Sequence, residues 1–478
     1  MDLMAMALAL KAQKMNDSKC DQLLIGMNSI AAAMWMDKNP PEAQLKDVNF
    51  YDYDGKVVYS YTKAEFLALE EMPASPAHEG LISQGWNWTF SAAQAYVTAY
   101  GSCEIGQSYI TSDGKTRAVI EIGDTERLTV YLQFTQTVAQ GVAIDWGDES
   151  EETTAPGTGG VTVSHTYPAA GKYTIQMTVA EGCVMQIGKN AEFLGSFIRQ
   201  GAGLRVNGRS VLTELYIGSG VSGIALFGLA FQSVLHTLVV PVGVTSIGNR
   251  GLDACIALKA LILPAGMTSI GNYVFRCNYQ LLTLSLPEGL ATLGPSCMTC
   301  VSLRRVSIPE GVATIGVNTF SRCFSATVIV VPDSVSSFGD SAFANCYSLL
   351  ALRVPSGVTA IPKGFARQCH NLAVCELPDG ITSIGEMAFS GVFAFASMVI
   401  PSTVTSIGRF AFLYTDGAQA FHVLPVTPPI IEPTAFTSTA EDLIIYVPYS
   451  ADHSVLNAYL AATNWSGLGD KMREEDAP

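Results

Sequence analysis

Cys297 and Cys300 stand as Cys-Met-Thr-Cys, a spacing that suits a redox couple or one half of a tetrahedral metal site. No second Cys or His pair accompanies them, so a metal reading lacks half its ligands. The six histidines, at 78, 165, 236, 370, 422 and 453, are scattered with no H-x-x-x-H spacing. Asp145 and Asp148 share a turn and could attract a cation, but carboxylates in turns also cap backbone amides. There is no phosphate-binding glycine loop, no dinucleotide fingerprint and no nucleophile elbow. We therefore expect no catalytic residue, no metal and no cofactor.

The elements that carry these residues repeat. Prolines at 241, 264, 287, 309, 332, 355, 378, 401 and 425 recur at intervals of 22 to 24. Six residues after the first eight comes a large apolar residue, such as Ile247, Ile270 or Phe338, and ten or eleven after comes another, such as Phe275 or Phe343. An L-x-x-L-x-L segment precedes each proline, as in residues 258–263. A coil of this length cannot bury its own apolar face, but stacked coils can, each apolar slot becoming a ladder. The L-x-x-L-x-L segments should form a parallel sheet that ends at proline, which has no N–H to donate. The glycine after most Ile slots (Gly248, Gly271, Gly294, Gly316, Gly339, Gly385, Gly408) is expected to supply positive φ. The Ala-Phe pairs, as at 342–343, are expected to make a short helical turn. Of the eleven cysteines, Cys255, Cys277, Cys300, Cys323, Cys346 and Cys369 lie 22 or 23 apart and read as one buried rung of reduced thiols.

Residues 212–425 resemble the leucine-rich repeat family, in its bacterial surface-antigen subclass, on units such as "LPDGITSIGEMAFSG" (377–391). The resemblance implies a solenoid that binds proteins or carbohydrates without catalysis. Residues 118–183 resemble the PKD family, an immunoglobulin-like sandwich, on "DWGDES" (145–150) and on His165, Tyr167, Gly171 and Tyr173. That family implies a spacer or adhesive module. Residues 46–117 suggest strand, Asp-Gly turn, strand and two helices, Tyr61–Leu69 and Ser91–Tyr100. They resemble a small module that precedes Ig-like domains in phage and prophage structural proteins and also in some cell-surface proteins. Trp86 and Trp88 there read as core rather than as a sugar platform.

The expected fold is thus multidomain. An N-terminal helical anchor and oligomerisation segment (1–45) precedes the small α/β module (46–117) and the PKD-like β-sandwich (118–183). A transition or N-terminal cap (184–211), the leucine-rich repeat solenoid with its parallel sheet (212–425) and a C-terminal cap (426–478) follow. The start of the chain lacks the layout of a secretory signal, since Asp2 stands where basic residues belong. Leu23, Leu24, Met27, Ile30, Ala31, Met34 and Trp35 make an apolar stripe at helical spacing, which reads either as core or as a docking surface that joins copies in a homo-oligomer.

The chain carries a formal net charge of −15, but the charge is unevenly placed. Residues 212–425 hold ten basic and ten acidic residues, whereas 119–182 hold two and nine and 426–478 two and eight. This distribution excludes a nucleic-acid partner, and the short apolar runs exclude membrane insertion. Outward strand slots vary between coils, and Arg304, Arg305, Lys259, Arg353 and His236 are the candidate ligand-binding residues, most of them forming a basic strip for an anionic glycan or acidic loop. The expectation is a non-enzymatic recognition protein. Its first form is a phage or prophage particle component of tail-fibre or receptor-binding type, virion-associated. That form contacts a bacterial surface glycan or protein and joins other particle proteins through the N-terminal helices. The alternative is a cell-surface adhesin that binds a host protein or glycan.

Overall fold

A computed structural model describes residues 45–123, 127–189, 196–200, 210–299 and 301–476. The N-terminal apolar stripe lies outside the described residues. The chain divides into two compact units, Met1–Gly289 and Leu290–Pro478.

The first unit opens with a four-stranded sheet ordered β2-β1-β4-β3, made of β1 (Val48–Tyr51), β2 (Val57–Tyr61), β3 (Leu81–Trp86) and β4 (Cys103–Thr111). Alternating aromatics drive it: Phe50 is fully buried and meets the rings of Tyr59, Tyr61, Phe66 and Trp86. The helix Lys63–Leu67 starts at Thr62 through a capping box with Glu65. The second helix, Phe90–Tyr100, is capped by Thr89, so it begins before the expected Ser91 and ends at left-handed Gly101.

The sandwich follows, with β5 (Thr116–Ile122), β6 (Thr129–Gln136), β7 (Val142–Asp145), β8 (Thr153–Thr154), β9 (Gly159–Thr166) and β10 (Gly171–Val179). It is not a free spacer. On one sheet, β13 (Leu212–Tyr216) pairs antiparallel with β5 and parallel with β15 (Thr237–Val239) of the first repeats. On the other, β11 (Met185–Ile187) pairs antiparallel with β6 and parallel with β14 (Val221–Ile224), while β12 (Ile198–Gln200) also lies on β6. Each sheet of the sandwich therefore runs into one of the two strand ladders of the solenoid. A solenoid's first coil exposes unpaired edge groups, and here the sandwich covers them.

Each coil carries a three- or four-residue strand before its proline and a two-residue strand at the Ile slot, paired in register with the next coil, as Ile384 with Ile407. In the second unit the rings of Phe343, Phe365, Phe389 and Phe412 form a continuous ladder. This ladder continues to Phe436, which lies 5.1 Å from Phe412. Ile430–Ile431 and Ile444–Val447 complete a further coil, so the solenoid runs past residue 425. The helix Ser454–Ala461, with buried Val455 and Tyr459, and the strand Met472–Glu474 close this end.

Three local expectations are corrected. The glycines after the Ile slots do not adopt positive φ; Gly248, Gly271, Gly339, Gly385 and Gly408 are needed because the preceding coil's backbone is too close for a Cβ. A Cβ on Gly339 would lie 2.4 Å from the Val317 nitrogen, and one on Gly408 2.7 Å from the Glu386 nitrogen. Positive φ falls instead on two other slots per coil, as at Ser341 and Asn345 or Met387 and Gly391. The Ala-Phe segments between these slots are consequently not helical turns. They are successive turns bonded from coil to coil, as Phe343 N–H to Phe365 O. Finally, the cysteines occupy two slots rather than one. Cys255, Cys323, Cys346 and Cys369 lie fourteen residues after their prolines, and each donates its thiol to a carbonyl 25 or 26 residues back. Cys277 sits one residue earlier in its coil, at φ 63°, and leaves Asn278 in the core slot.

Candidate recognition surface

The strand face of the solenoid was expected to be open along its length. In the first unit it is not. The α/β module lies on it: a Cβ at Gly106 would stand 2.4 Å from Ile262 Cγ2, and one at Gly55 2.4 Å from Ala260 Cβ. Ala260, Ile262 and Ser285, all in outward slots, are buried. The contact is polar at its edge. Asn87 Nδ2 donates to the Leu263 carbonyl at 2.9 Å and to Ser285 Oγ at 3.0 Å, while Asn87 Oδ1 accepts from Gly106 N–H. Trp88 Nε1 donates to the Leu286 carbonyl at 2.8 Å. Thr89 donates through both N–H and Oγ1 to Glu288, and Val242 N–H donates to Gln84 Oε1. Trp88 is core, as expected; Trp86 donates to the Pro73 carbonyl and packs against Phe50. The available sequence signal for this docking was the small or apolar residues Ala260 and Ile262 in slots that should face water.

The candidate ligand residues are placed as follows. His236 and Lys259 are exposed on the first unit, at the margin of the covered face, with His236 bonded to Thr237 Oγ1. On the second unit Arg304 and Arg305 are half-buried, and Arg353 is exposed but pairs with Asp333 at 2.7 Å. On the same face of the second unit three aliphatic side chains, Leu350, Val374 and Val399, are each about half exposed, at 53, 50 and 48%.

The residues that could do chemistry are absorbed by the scaffold. Asp145 accepts from Gly147 N–H, and Asp148 accepts from Ser150 and lies 2.7 Å from His165 Nε2. Burial opposes ionisation of Asp148, but bonds from Ser150 and His165 outweigh it and hold the carboxyl below its ordinary range. His165 stacks on Trp146, and Tyr167 donates to the Trp146 carbonyl, so the turn motif is a packing device. The remaining histidines are also partnered: His78 with Asp52, His370 with Gln368, His422 with Glu475 and His453 with Glu474. Phe324, Tyr347, His370 and Phe393 form a column in which each ring packs on the next, with Phe393 exposed at its end. Cys297 is buried, which pushes its thiol pKa well up, and Cys300 is outside the described residues. Among the described residues no group of three His, Cys, Asp or Glu could hold a metal ion, and no helix is long and apolar enough to cross a membrane.

Comparison with known proteins follows this architecture. Residues 210–325 and 297–419 match the family described as "BspA type Leucine rich repeat region", and residues 111–183 match the PKD domain. The chain thus holds a leucine-rich repeat solenoid preceded by a PKD domain; neither match is to a catalytic domain. No curated protein matches it. A leucine-rich repeat protein from Bacteroides ovatus is 22% identical, with a TM-score of 0.48, over 55% of this chain and 66% of that one, just under two thirds. A leucine-rich repeat protein from T. pallidum is 29% identical, with a TM-score of 0.30, over 32% of this chain and 72% of that one. A leucine rich cell surface protein from Faecalibacterium prausnitzii is 21% identical, with a TM-score of 0.27, over 51% of this chain and 86% of that one.

Proposed function

We propose that this chain is a non-enzymatic recognition protein of a bacterial cell surface, contacting its target through the strand face of the solenoid. The observation that carries the reading is the run of repeats whose inward slots are fixed while the outward slots vary and, in the coils between Leu350 and Val399, stay exposed. A solenoid spends its sequence on a surface rather than a closed pocket, which suits adhesion better than catalysis. The repeat-family match supports the surface setting. The virion-associated reading, with its tail-fibre role and its particle partners, finds no support among these comparisons, and the adhesin reading replaces it. The basic-strip version keeps Arg304 and Arg305 as contacts for an anionic glycan or acidic loop, with Arg353 already engaged by Asp333.

The test has two arms. Antibody labelling and protease shaving of intact producing cells should reach the protein; labelling only after lysis overturns the surface placement. Beads coated with the full chain should adhere to animal cells, and adhesion equal to uncoated beads overturns recognition. Arg304→Ser with Arg305→Ser, compared at low and physiological salt, separates an ionic contact from the rest of the face.

A further inference from the structure

The proline in each coil removes a hydrogen bond from its neighbour. In the register of these parallel strands, the residue before proline donates its N–H to the next coil, as Leu263 to Ser285 O and Val354 to Glu376 O. Its own carbonyl should then accept from the residue two further along in that next coil. For Leu263 that residue is Pro287, and for Val354, by the pairing of Arg353 with Glu376, it is Pro378. Proline has no N–H, so the carbonyl loses its solenoid donor. An internal control confirms the cause. Where the coil is one residue longer and proline falls at 425, Leu424 N–H is free to donate, and it does so to Ile400 O at 3.0 Å.

In the first unit the α/β module repairs the loss at two positions, while among the described residues the carbonyl of Val240, one repeat before Pro264, receives no donor. Asn87 Nδ2 caps the Leu263 carbonyl and Trp88 Nε1 caps that of Leu286. In the second unit the same slot is filled by Val331, Val354 and Leu377, which precede Pro332, Pro355 and Pro378. The 23-residue repeat sets them opposite Pro355, Pro378 and Pro401. Among the described residues none of these three carbonyls receives a donor. Beside them, in outward slots, stand the exposed aliphatic Leu350, Val374 and Val399.

We propose that the strand face of the second unit binds a protein partner in the manner in which the first unit's face holds the chain's own α/β module. The partner sets side-chain N–H donors of the Asn, Gln or Trp kind on the carbonyls of Val331, Val354 and Leu377 and covers Leu350, Val374 and Val399 with apolar or small residues. This deepens the recognition reading, on which it rests, by naming the partner class and the rungs. A polypeptide meets both demands, since backbone carbonyls at a strand spacing of about 4.8 Å want donors and the aliphatic rows want apolar cover. The intramolecular interface shows both demands met by polypeptide at equivalent slots.

The probe is a random-peptide phage library panned on the immobilised full chain, with a glycan array read in parallel. Enriched peptides should carry Asn, Gln or Trp beside small or aliphatic residues. Their binding should weaken at least tenfold in Val374→Glu with Val399→Glu. Pro378→Ala keeps the aliphatic rows intact but returns an N–H to the Val354 carbonyl; it should weaken binding about two- to tenfold, the worth of one hydrogen bond. Circular dichroism and thermal midpoint confirm folding of each variant, all of them at exposed or turn positions. Peptides that bind all variants equally, or no enrichment, overturn the proposal while leaving bead adhesion to judge the wider reading. Glycan binding abolished by Val374→Glu with Val399→Glu overturns the partner class.

Discussion

Trp88 donates its indole N–H to the carbonyl oxygen of Leu286, 198 residues along the chain, at 2.8 Å and out of reach of water. One buried bond thus ties the α/β module to a strand end of the solenoid. Replacing Trp88 by Phe leaves the carbonyl orphaned, at about 1–3 kcal/mol beyond the loss of ring volume. Denaturant unfolding should show that drop, and Asn87→Ala should lower stability in the same transition. If either variant loosens the module without moving the transition of residues 212–289, the two do not unfold together.

The two glycine-related slots of a coil should respond with opposite signs. Gly339→Ala forces a Cβ against the Val317 nitrogen and should destabilise by about 1–3 kcal/mol. Ser341, two residues on, holds φ 56°, and the equivalent position one coil later is already glycine, Gly364. Ser341→Gly relieves about 1–2 kcal/mol of left-handed strain against a smaller entropic cost, so it should be neutral or stabilising. Thermal midpoints of the two variants decide the matter.

Asn278 is fully buried, and neither its amide nitrogen nor its amide oxygen has a hydrogen-bond partner. The slot holds Cys255 one coil earlier and Val301 one coil later. Asn278→Val, of similar volume, should therefore raise stability by about 1–3 kcal/mol. An unchanged or lowered unfolding free energy would mean that the amide has a partner.

The thiols of Cys346 and Cys369 donate to the carbonyls of Phe320 and Phe343, and burial raises their pKa well above the ordinary cysteine value. Alkylation mapped by mass spectrometry should leave both unmodified in native protein and label both after denaturation. Because an acceptor is in place, Cys369→Ser should cost less than a hydroxyl buried without a partner, about 1 kcal/mol or under. Rapid labelling in the native state would contradict the burial.

In the sandwich, Asp148 has a depressed carboxyl pKa despite burial, through bonds from Ser150 and His165. A carboxylate with a lowered folded pKa stabilises above its unfolded value, about 3.9, and loses that contribution as pH falls through the folded value. Asp148→Asn should therefore be less stable than the native chain at pH 7, with the gap shrinking below pH ~4. A gap independent of pH would assign the effect to packing rather than charge.

Periodicity alone was enough to define the coil length, the inward slots and the strand before each proline, and local motifs carried the resemblance of residues 118–183 to the PKD family. Those features depend on one residue's type and its distance to the next, which is all a sequence records. It misassigned Gly248, Gly339 and their counterparts because a tight turn and a close neighbouring backbone demand the same residue, and only the stacked coils reveal a carbonyl or nitrogen 2.4 to 2.8 Å from the missing Cβ. It merged Cys277 with the Cys255 slot because intervals of 22 and 23 look alike, although Cys255 lies fourteen residues after Pro241 and Cys277 thirteen after Pro264, a shift that moves the side chain to a different slot. Only the tertiary structure decided that residues 46–111 occupy the strand face through Asn87, Trp88 and Gly106, and that β5 and β11 join sandwich to solenoid. Such contacts link positions about 36 to 198 residues apart by shape and unsatisfied backbone groups, and neither leaves a period in the chain.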